Sequence, residues 1–313
     1  MDISGIHHVT AITADAQKNI DFYCGVLGLR LVKLTVNFDD PGSYHLYYGN
    51  ESGDPGSILT FFAWPEASRG RVGPAQVVAI AFAVPEAAYE FWSDRFRQHH
   101  IAAQGVLGAF GEQVISLADP DGIQVQIVAA AKAQDYHPTG GPIDPDVAVS
   151  GFHGIAVSED GYELTARLLT DVMGFRAAAS EGNRFRYQAS GDRASIIDLL
   201  CVPDARHGAM GAGIVHHVAF RVPDDEQQVA WRERLRALGY NVTPVIDRRY
   251  FYSIYFREPS GVLFEIATDQ PGFAMDEAPG QLGTALCLPP WLEPNRRAIE
   301  DSLPQLRLPQ WSS

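Results

Sequence analysis

The order strand, helix, then further strands occurs four times along the 313 residues. A chain that repeats one such unit is committed to stacking like modules. The first copy opens with Ile6-His7-His8-Val9-Thr10-Ala11-Ile12, a strand by content. A helix over 16–26 follows, with Ile20, Tyr23, Cys24 and Leu27 at helical spacing and Gly28 as its stop. Strand-like runs at 31–36, 44–48 and 58–64 close the copy. The second copy has a strand at 77–84, a helix over 85–98 and a hairpin of 111–116 with 123–128. The third has a strand at 152–157, a helix over 162–173 and strands at 184–188 and 195–201. The fourth has a strand at 216–222, a helix over 225–238 and a hairpin of 252–256 with 262–266. Ser4-Gly5-Ile6-His7 matches Ser150-Gly151-Phe152-His153, and Ala81-Phe82-Ala83-Val84-Pro85 matches Ala219-Phe220-Arg221-Val222-Pro223. The chain therefore reads as an α+β protein of four βαβββ modules, one pair over 1–131 and one over 148–270. Residues 132–147, rich in Pro, Gly and Asp, join the pairs. A Pro-rich tail over 271–313 holds one short helix at 296–306.

Composition narrows the partners. Hydrophobic residues make up 46% and charged residues 20%, ordinary values for a globular chain. A formal net charge of −14 disfavours nucleic acid and anionic membranes, both of which require Lys/Arg surfaces. Cys24, Cys201 and Cys287 are far apart, which suits a reducing compartment better than a disulfide framework. No basic and apolar leader precedes Ile6, and no run of about 18 apolar residues occurs. A cytoplasmic protein is expected, and the reading leaves room for a homo-oligomer.

The last hairpin carries an anomaly. Glu258-Pro259-Ser260-Gly261 is a turn by chemistry, which sets Tyr255 opposite Glu265. Glu265 is a lone carboxylate in the apolar run Val262–Ile266, and leaving a charge there costs several kcal/mol unless it is paired or ligates a metal. The sister position in the second copy is Gln126, and Ala79 and Gly154 stand where His217 and His8 do. Packing therefore does not require these polar groups. Two doublets, His7-His8 and His216-His217, open the first and fourth copies. Neighbours on a strand face opposite ways, so one histidine of each doublet is expected to enter a cleft, and strand phase does not say which. With Glu265 they supply two imidazoles and one carboxylate, the set that holds Fe(II) and leaves positions open. His45, His99, His100, His137, His153 and His207 are scattered and read as structural, and Phe91, Trp92 and Phe96 as core. No G-x-G-x-x-G or P-loop pattern supports a nucleotide site.

A repeated βαβββ unit with histidine on a first strand and glutamate on a last strand resembles the vicinal oxygen chelate superfamily, which includes glyoxalase I, bleomycin-resistance proteins and extradiol dioxygenases. More narrowly, Gly5-Ile6-His7-His8-Val9-Thr10, the 44–47 strand, Glu181–Tyr187, Ile196–Leu200, the second doublet and the Asp247–Thr268 stretch are similar to hydroquinone-type ring-cleaving dioxygenases. This resemblance implies two curved mixed sheets and metal ligands at His8, His217 and Glu265. It implies supporting roles for His7, Thr10, His216, Arg248 and Tyr255, with Arg249 a neighbouring alternative to Arg248. It further implies a metal cleft between the first and fourth modules and Fe(II) as the cofactor, a ligand set that also accepts Mn(II). An aromatic 1,4-diol or catechol and O₂ would be the substrates. A glyoxalase-like isomerase or transferase would place a second carboxylate on the 58–64 strand, and none is there. A binding protein of the bleomycin-resistance type would bind its ligand without a metal.

Overall fold

The computed structural model describes residues 2–135 and 143–309; His137 and the middle of the 132–147 connection lie outside the described residues. Module one comprises β1 (Ile6–Thr13), α1 (Ala16–Ile20), β2 (Arg30–Asn37), β3 (Asp40–Gly49) and β4 (Ile58–Ala63). Module two comprises β5 (Gln76–Val84), α2 (Tyr89–Gln98), β6 (Ala103–Leu107), β7 (Gln113–Ala118) and β8 (Gln124–Ala129). Module three comprises β9 (Gly151–Glu159), α3 (Glu163–Arg167), β10 (Arg176–Glu181), β11 (Arg184–Gln188) and β12 (Ile196–Cys201). Module four comprises β13 (Val215–Val222), α4 (Asp225–Ala237), β14 (Ile246–Asp247), β15 (Phe251–Arg257) and β16 (Leu263–Pro271). The tail carries α5 (Arg296–Ser302).

The sequence reading of one helix over 16–26 and another over 162–173 requires correction. Each stops early and continues as a π-helical turn, over Asp21–Val26 and over Leu168–Val172. Phe22, Tyr23, Cys24 and Val26 are all buried in the first of these turns.

Two eight-stranded mixed sheets result, in the orders β14-β15-β16-β13-β1-β4-β3-β2 and β10-β11-β12-β9-β5-β8-β7-β6. Module one shares a sheet with module four, and module two with module three. The seams are antiparallel, β1 with β13 and β5 with β9. Outward from each seam the first pairing is parallel. Strand alternation divides the residues of the first sheet. Val9, Leu59, Phe61, Val218, Phe220, Ile254, Phe264 and Ile266 enter the core, while His8, Thr10, Phe62, His217, Tyr255 and Leu263 line a concave cleft.

Both seams carry bulges at matching places. Ile6 pairs with Phe220 but His8 with Ala219, which leaves His7 as an extra residue; Thr10 pairs with His217 but Ala11 with Val215, which leaves His216 as another. His153 and Val78 are the extra residues in the second seam. A bulge turns the side chain out of the strict two-residue alternation.

The hairpin turns tie the modules together. Glu258, 2% exposed, accepts hydrogen bonds from Ser260 N (2.9 Å), Ser260 Oγ (2.5 Å), Val262 N (2.7 Å) and Thr165 Oγ1 of module three (2.5 Å). Asp119 plays the same part in module two, with Tyr23 Oη of module one donating at 3.0 Å. From the far side of the β15–β16 hairpin, buried Gln228 of α4 donates to the carbonyls of Tyr252 (2.7 Å) and Ile266 (2.8 Å).

Glu159, at the end of β9, is fully buried, and neither carboxyl oxygen has a hydrogen-bond partner. The nearby Thr165 and Ser260 hydroxyls spend their protons on Glu258. Burial first, and then the Glu258 charge, push the Glu159 carboxyl up to about 8. The folded chain therefore keeps a proton that the unfolded chain releases near pH 4.5, and stability falls as pH rises between those values. Glu159→Gln cannot ionise. It is expected to match the wild type near pH 5 and exceed it by about 1–4 kcal/mol near pH 9. Urea melts at the two pH values check this; an equal difference at both would refute it.

The tail straps module one. Lys33 on β2 is fully buried, with its ammonium bound to Asp276 (2.6 Å) and Glu277. Leu286 bridges to Leu34, and Tyr44 Oη donates to the Pro304 carbonyl at 2.9 Å. Among the described residues no helix is long and apolar enough to cross a membrane.

Candidate metal centre

Glu265, His8 and His217 meet on the floor of the concave cleft, although they come from opposite ends of the chain. Glu265 Oε2 lies 3.0 Å from His217 Nε2 and 3.3 Å from His8 Nε2, and the two Nε2 atoms are 3.4 Å apart. All three residues are at most 5% exposed. Glu265 Oε1 accepts from Ser253 Oγ at 2.5 Å, and Tyr255 pairs with Glu265 across the hairpin.

The bulges determine what the leading histidines do. His7 Nδ1 lies 2.9 Å from His8 Nδ1, and His216 Nδ1 lies 2.7 Å from His217 Nδ1. A metal ion beside Glu265 would take the Nε2 lone pairs of His8 and His217, and each Nδ1–H would then donate to the preceding imidazole; with no ion there, the Nε2 atoms are within hydrogen-bond reach of Glu265 Oε2. Burial, followed by the neighbouring His217, pushes His216 down to about 3, so it is neutral. Burial pushes His217 down as well. Burial would push the Glu265 carboxyl up, but His8 and His217 outweigh it and hold it well below the usual carboxylate range.

Two imidazole Nε2 atoms and a carboxylate oxygen thus converge on one point, a group that could hold a metal ion. Donors bound at about 2.1 Å to one ion sit roughly 3.0–3.4 Å apart, between octahedral and tetrahedral angles, and this triangle fits. A metal-binding histidine usually donates its other ring N–H to an acceptor behind it, and here the preceding imidazole occupies that place.

The cleft above the triad has a volume of about 410 Å³. Thr10, His216, Arg248 and Tyr255 line it, whereas His7 sits behind His8 against Phe251. The expectation that one histidine of each doublet faces the cleft holds for His7-His8 and fails for His216-His217: His7 and His216 are both bulge residues, and His216 lines the cleft beside His217 while His7 does not. Arg248 Nε donates to Tyr255 Oη at 3.1 Å, and Arg248 Nη1 lies 3.1 Å from Asp39 at the β2–β3 turn. Arg249 turns away toward Asp276. Phe62 stacks on Trp64 at 5.3 Å and meets His216 edge-on, giving the cleft an aromatic wall.

Sequence reasoning missed Ser253 and His45. Ser253 stands two residues before Tyr255 and so shares its face, a signal available from alternation alone. His45 lines the cleft, though it read as structural.

Two other polar clusters are already satisfied. Asp276, Glu277 and Cys287 could hold an ion, but the Lys33 ammonium sits among them. In the second sheet Gln126 replaces Glu265, and Arg186 bridges Glu112 and Asp198 while His153 binds Glu112 at 2.9 Å. Burial opposes it, but His153 and Arg186 hold the Glu112 carboxyl down to about 2.

The sequence profile of the glyoxalase/bleomycin resistance protein/dioxygenase superfamily matches residues 5–127 and 151–266. The chain belongs to this superfamily. Among superfamily members it is 48% identical over 299 residues to "Putative ring-cleaving dioxygenase MhqO" of Bacillus subtilis, covering 96% of this chain and 95% of that one. It is 34% identical over 301 residues to "Chlorohydroquinone/hydroquinone 1,2-dioxygenase" of Sphingobium indicum, covering 93% of both. A crystal structure of a Bacillus subtilis protein described as a "putative dioxygenase" superposes with a TM-score of 0.95 at 46% identity, covering 99% of both chains. Glyoxalase I of Zea mays shares the superfamily fold at a TM-score of 0.62 and 12% identity, over 85% of this chain and 92% of that one.

Proposed function

We propose that this protein is a non-haem Fe(II) ring-cleaving dioxygenase that opens a hydroquinone-type aromatic diol with O₂, and that His8, His217 and Glu265 are its metal ligands. One observation carries the reading: three metal-competent atoms converge at the floor of an aromatic-walled cleft and leave its open side free. The kinship with a protein named for hydroquinone cleavage favours a 1,4-diol over a catechol. Bound to the triad, Fe(II) would supply open coordination positions for a substrate oxygen and O₂ and a path for electron density between them. Mn(II) suits the same donors.

The chain's own residues do the rest. The aromatic wall of Phe62 and Trp64 excludes water and flanks a planar ring. Burial and the Glu265 charge push the Tyr255 phenol up, so it keeps its proton, and its oxygen already accepts from Arg248. That leaves the phenolic proton to be donated to a substrate oxygen. Arg248 adds a permanent positive charge beside it, suited to an anionic oxygen. His216, neutral and at the cleft wall, offers an imidazole for moving a proton from a substrate hydroxyl.

An isomerase of the glyoxalase kind is disfavoured by β4, where Thr60 and Phe62 rather than a carboxylate face the cleft. The test is anaerobic loading with Fe(II), then O₂ uptake with methylhydroquinone, chlorohydroquinone and catechol. Uptake with the two hydroquinones at one equivalent of O₂ per ring is the expected result; no uptake with any of the three would overturn the reading.

A further inference from the structure

His45 is half-buried in the cleft wall, packed between Tyr47 (ring centroids 4.1 Å) and Phe62 (4.4 Å). Both ring nitrogens are engaged. Nδ1 lies 2.9 Å from Tyr47 Oη, and Nε2 lies 2.9 Å from Thr60 Oγ1. Thr60 Oγ1 in turn lies 2.9 Å from Thr10 Oγ1. Tyr47, His45, Thr60 and Thr10 thus form one unbroken chain across β3, β4 and β1, and both of its end residues line the cleft.

Hydrogen counting limits what this chain can do. Each hydroxyl has one proton, and a neutral imidazole has one N–H. Desolvation holds the His45 imidazole well below its usual range, so it is neutral. Thr60 gives its one proton to Thr10, so the His45 N–H must be at Nε2 and donate to Thr60, and Tyr47 must donate to Nδ1. Thr10 then has a free proton and Tyr47 only lone pairs. The cleft thus presents one hydroxyl that donates and one that accepts.

We propose that the Tyr47–His45–Thr60–Thr10 chain selects a ligand with one oxygen acceptor and one O–H donor, the pattern of a singly deprotonated diol, and that His45 is the positioning residue that couples the two ends. This rests on the diol reading above. With an anionic oxygen beside the triad, Thr10 donates to it, His45 carries its proton on Nε2, and Tyr47 accepts from the second hydroxyl. A phenol whose second oxygen is methylated cannot donate there, and the lone pairs of the two oxygens repel.

The test compares anaerobic calorimetric binding of hydroquinone and 4-methoxyphenol to Fe(II)-loaded protein. The wild type is expected to prefer hydroquinone by about tenfold or more, the equivalent of one good hydrogen bond. His45→Phe, which keeps the ring packing but breaks both links, and Tyr47→Phe are expected to reduce that preference to within about twofold. His45→Gln, with one donor and one acceptor, is expected to restore part of it. Iron content and melting temperature show that each variant is folded and loaded. If the wild type binds neither aromatic, the diol reading fails and this inference with it. If the wild type prefers hydroquinone and folded, loaded His45→Phe prefers it equally, the inference alone fails.

Discussion

Glu265→Gln is expected to leave the fold intact and the iron site empty. The amide has almost the same shape, and its oxygen can still accept from Ser253. What it loses is the negative charge at Oε2, the only anion among the three converging donors. Two neutral imidazoles and a neutral amide cannot offset the desolvation of a divalent cation in a closed cleft. Loss of a group that merely supports a metal ligand costs roughly 10–100-fold in affinity or activity, and loss of the anionic ligand itself should exceed that range. Elemental analysis after anaerobic loading should therefore find close to one iron per chain in the wild type and almost none in the variant. O₂ uptake should fall by more than about a hundredfold. Circular dichroism of the metal-free variant should match the wild type, which separates loss of iron from loss of the fold. Iron and activity that survive the change would sink the ligand assignment.

Glu258→Ala is expected to be the most destabilising substitution in the hairpin. It orphans Ser260 N, Val262 N and two hydroxyl protons in a buried turn, and it cuts the link from module four to Thr165 in module three. Leaving buried donors unsatisfied costs about 1–3 kcal/mol per group, and part of this is recovered by relaxation, so a loss of about 3–5 kcal/mol is expected. The Glu258 charge is also one cause of the raised Glu159 carboxyl, so the double variant with Glu159→Gln should differ from the sum of the two single changes. Urea denaturation of the metal-free protein measures both numbers. A loss below about 1 kcal/mol would mean that the Pro259-Gly261 backbone fixes the turn unaided.

Which parts of this molecule could be read in the sequence follows from burial. The β15–β16 hairpin, its turn and the pairing of Tyr255 with Glu265 were legible because an apolar run, a Pro-Ser-Gly turn and a second apolar run leave one register. The strands β6 and β10 were invisible for the opposite reason: Ala103–Leu107 and Arg176–Glu181 are exposed on both faces and show no alternation. The triad was legible through the repeat, because Gln126, Ala79 and Gly154 show that the fold does not need its polar groups. Which histidines face the cleft was not, because a bulge cancels the phase rule and no residue type marks a bulge: His8 lines it alone of its doublet, but His216 and His217 both do. His45 escaped for a related reason. A histidine amid Tyr44, Leu46 and Tyr47 looks like packing, and only the arrival of Thr60 and Thr10 from two other strands makes it part of a chain of hydroxyls.

The order of strands also bears on how the molecule is made. A growing chain emerges from its N-terminus, and β1 and β13, which form the central seam of the first sheet, are about 209 residues apart at His8 and His217. The second sheet, built from adjacent modules two and three, can close while module four is still being synthesised. Module one must wait with β1 unpaired along its seam edge, like an opening parenthesis awaiting its close. Nested assembly, inner sheet before outer, is the order this topology predicts, and slow folding is expected from the usual relation between contact distance and rate. The three residues of the candidate metal centre come together only at the last closure, so a chain that stops short of β16 lacks Glu265.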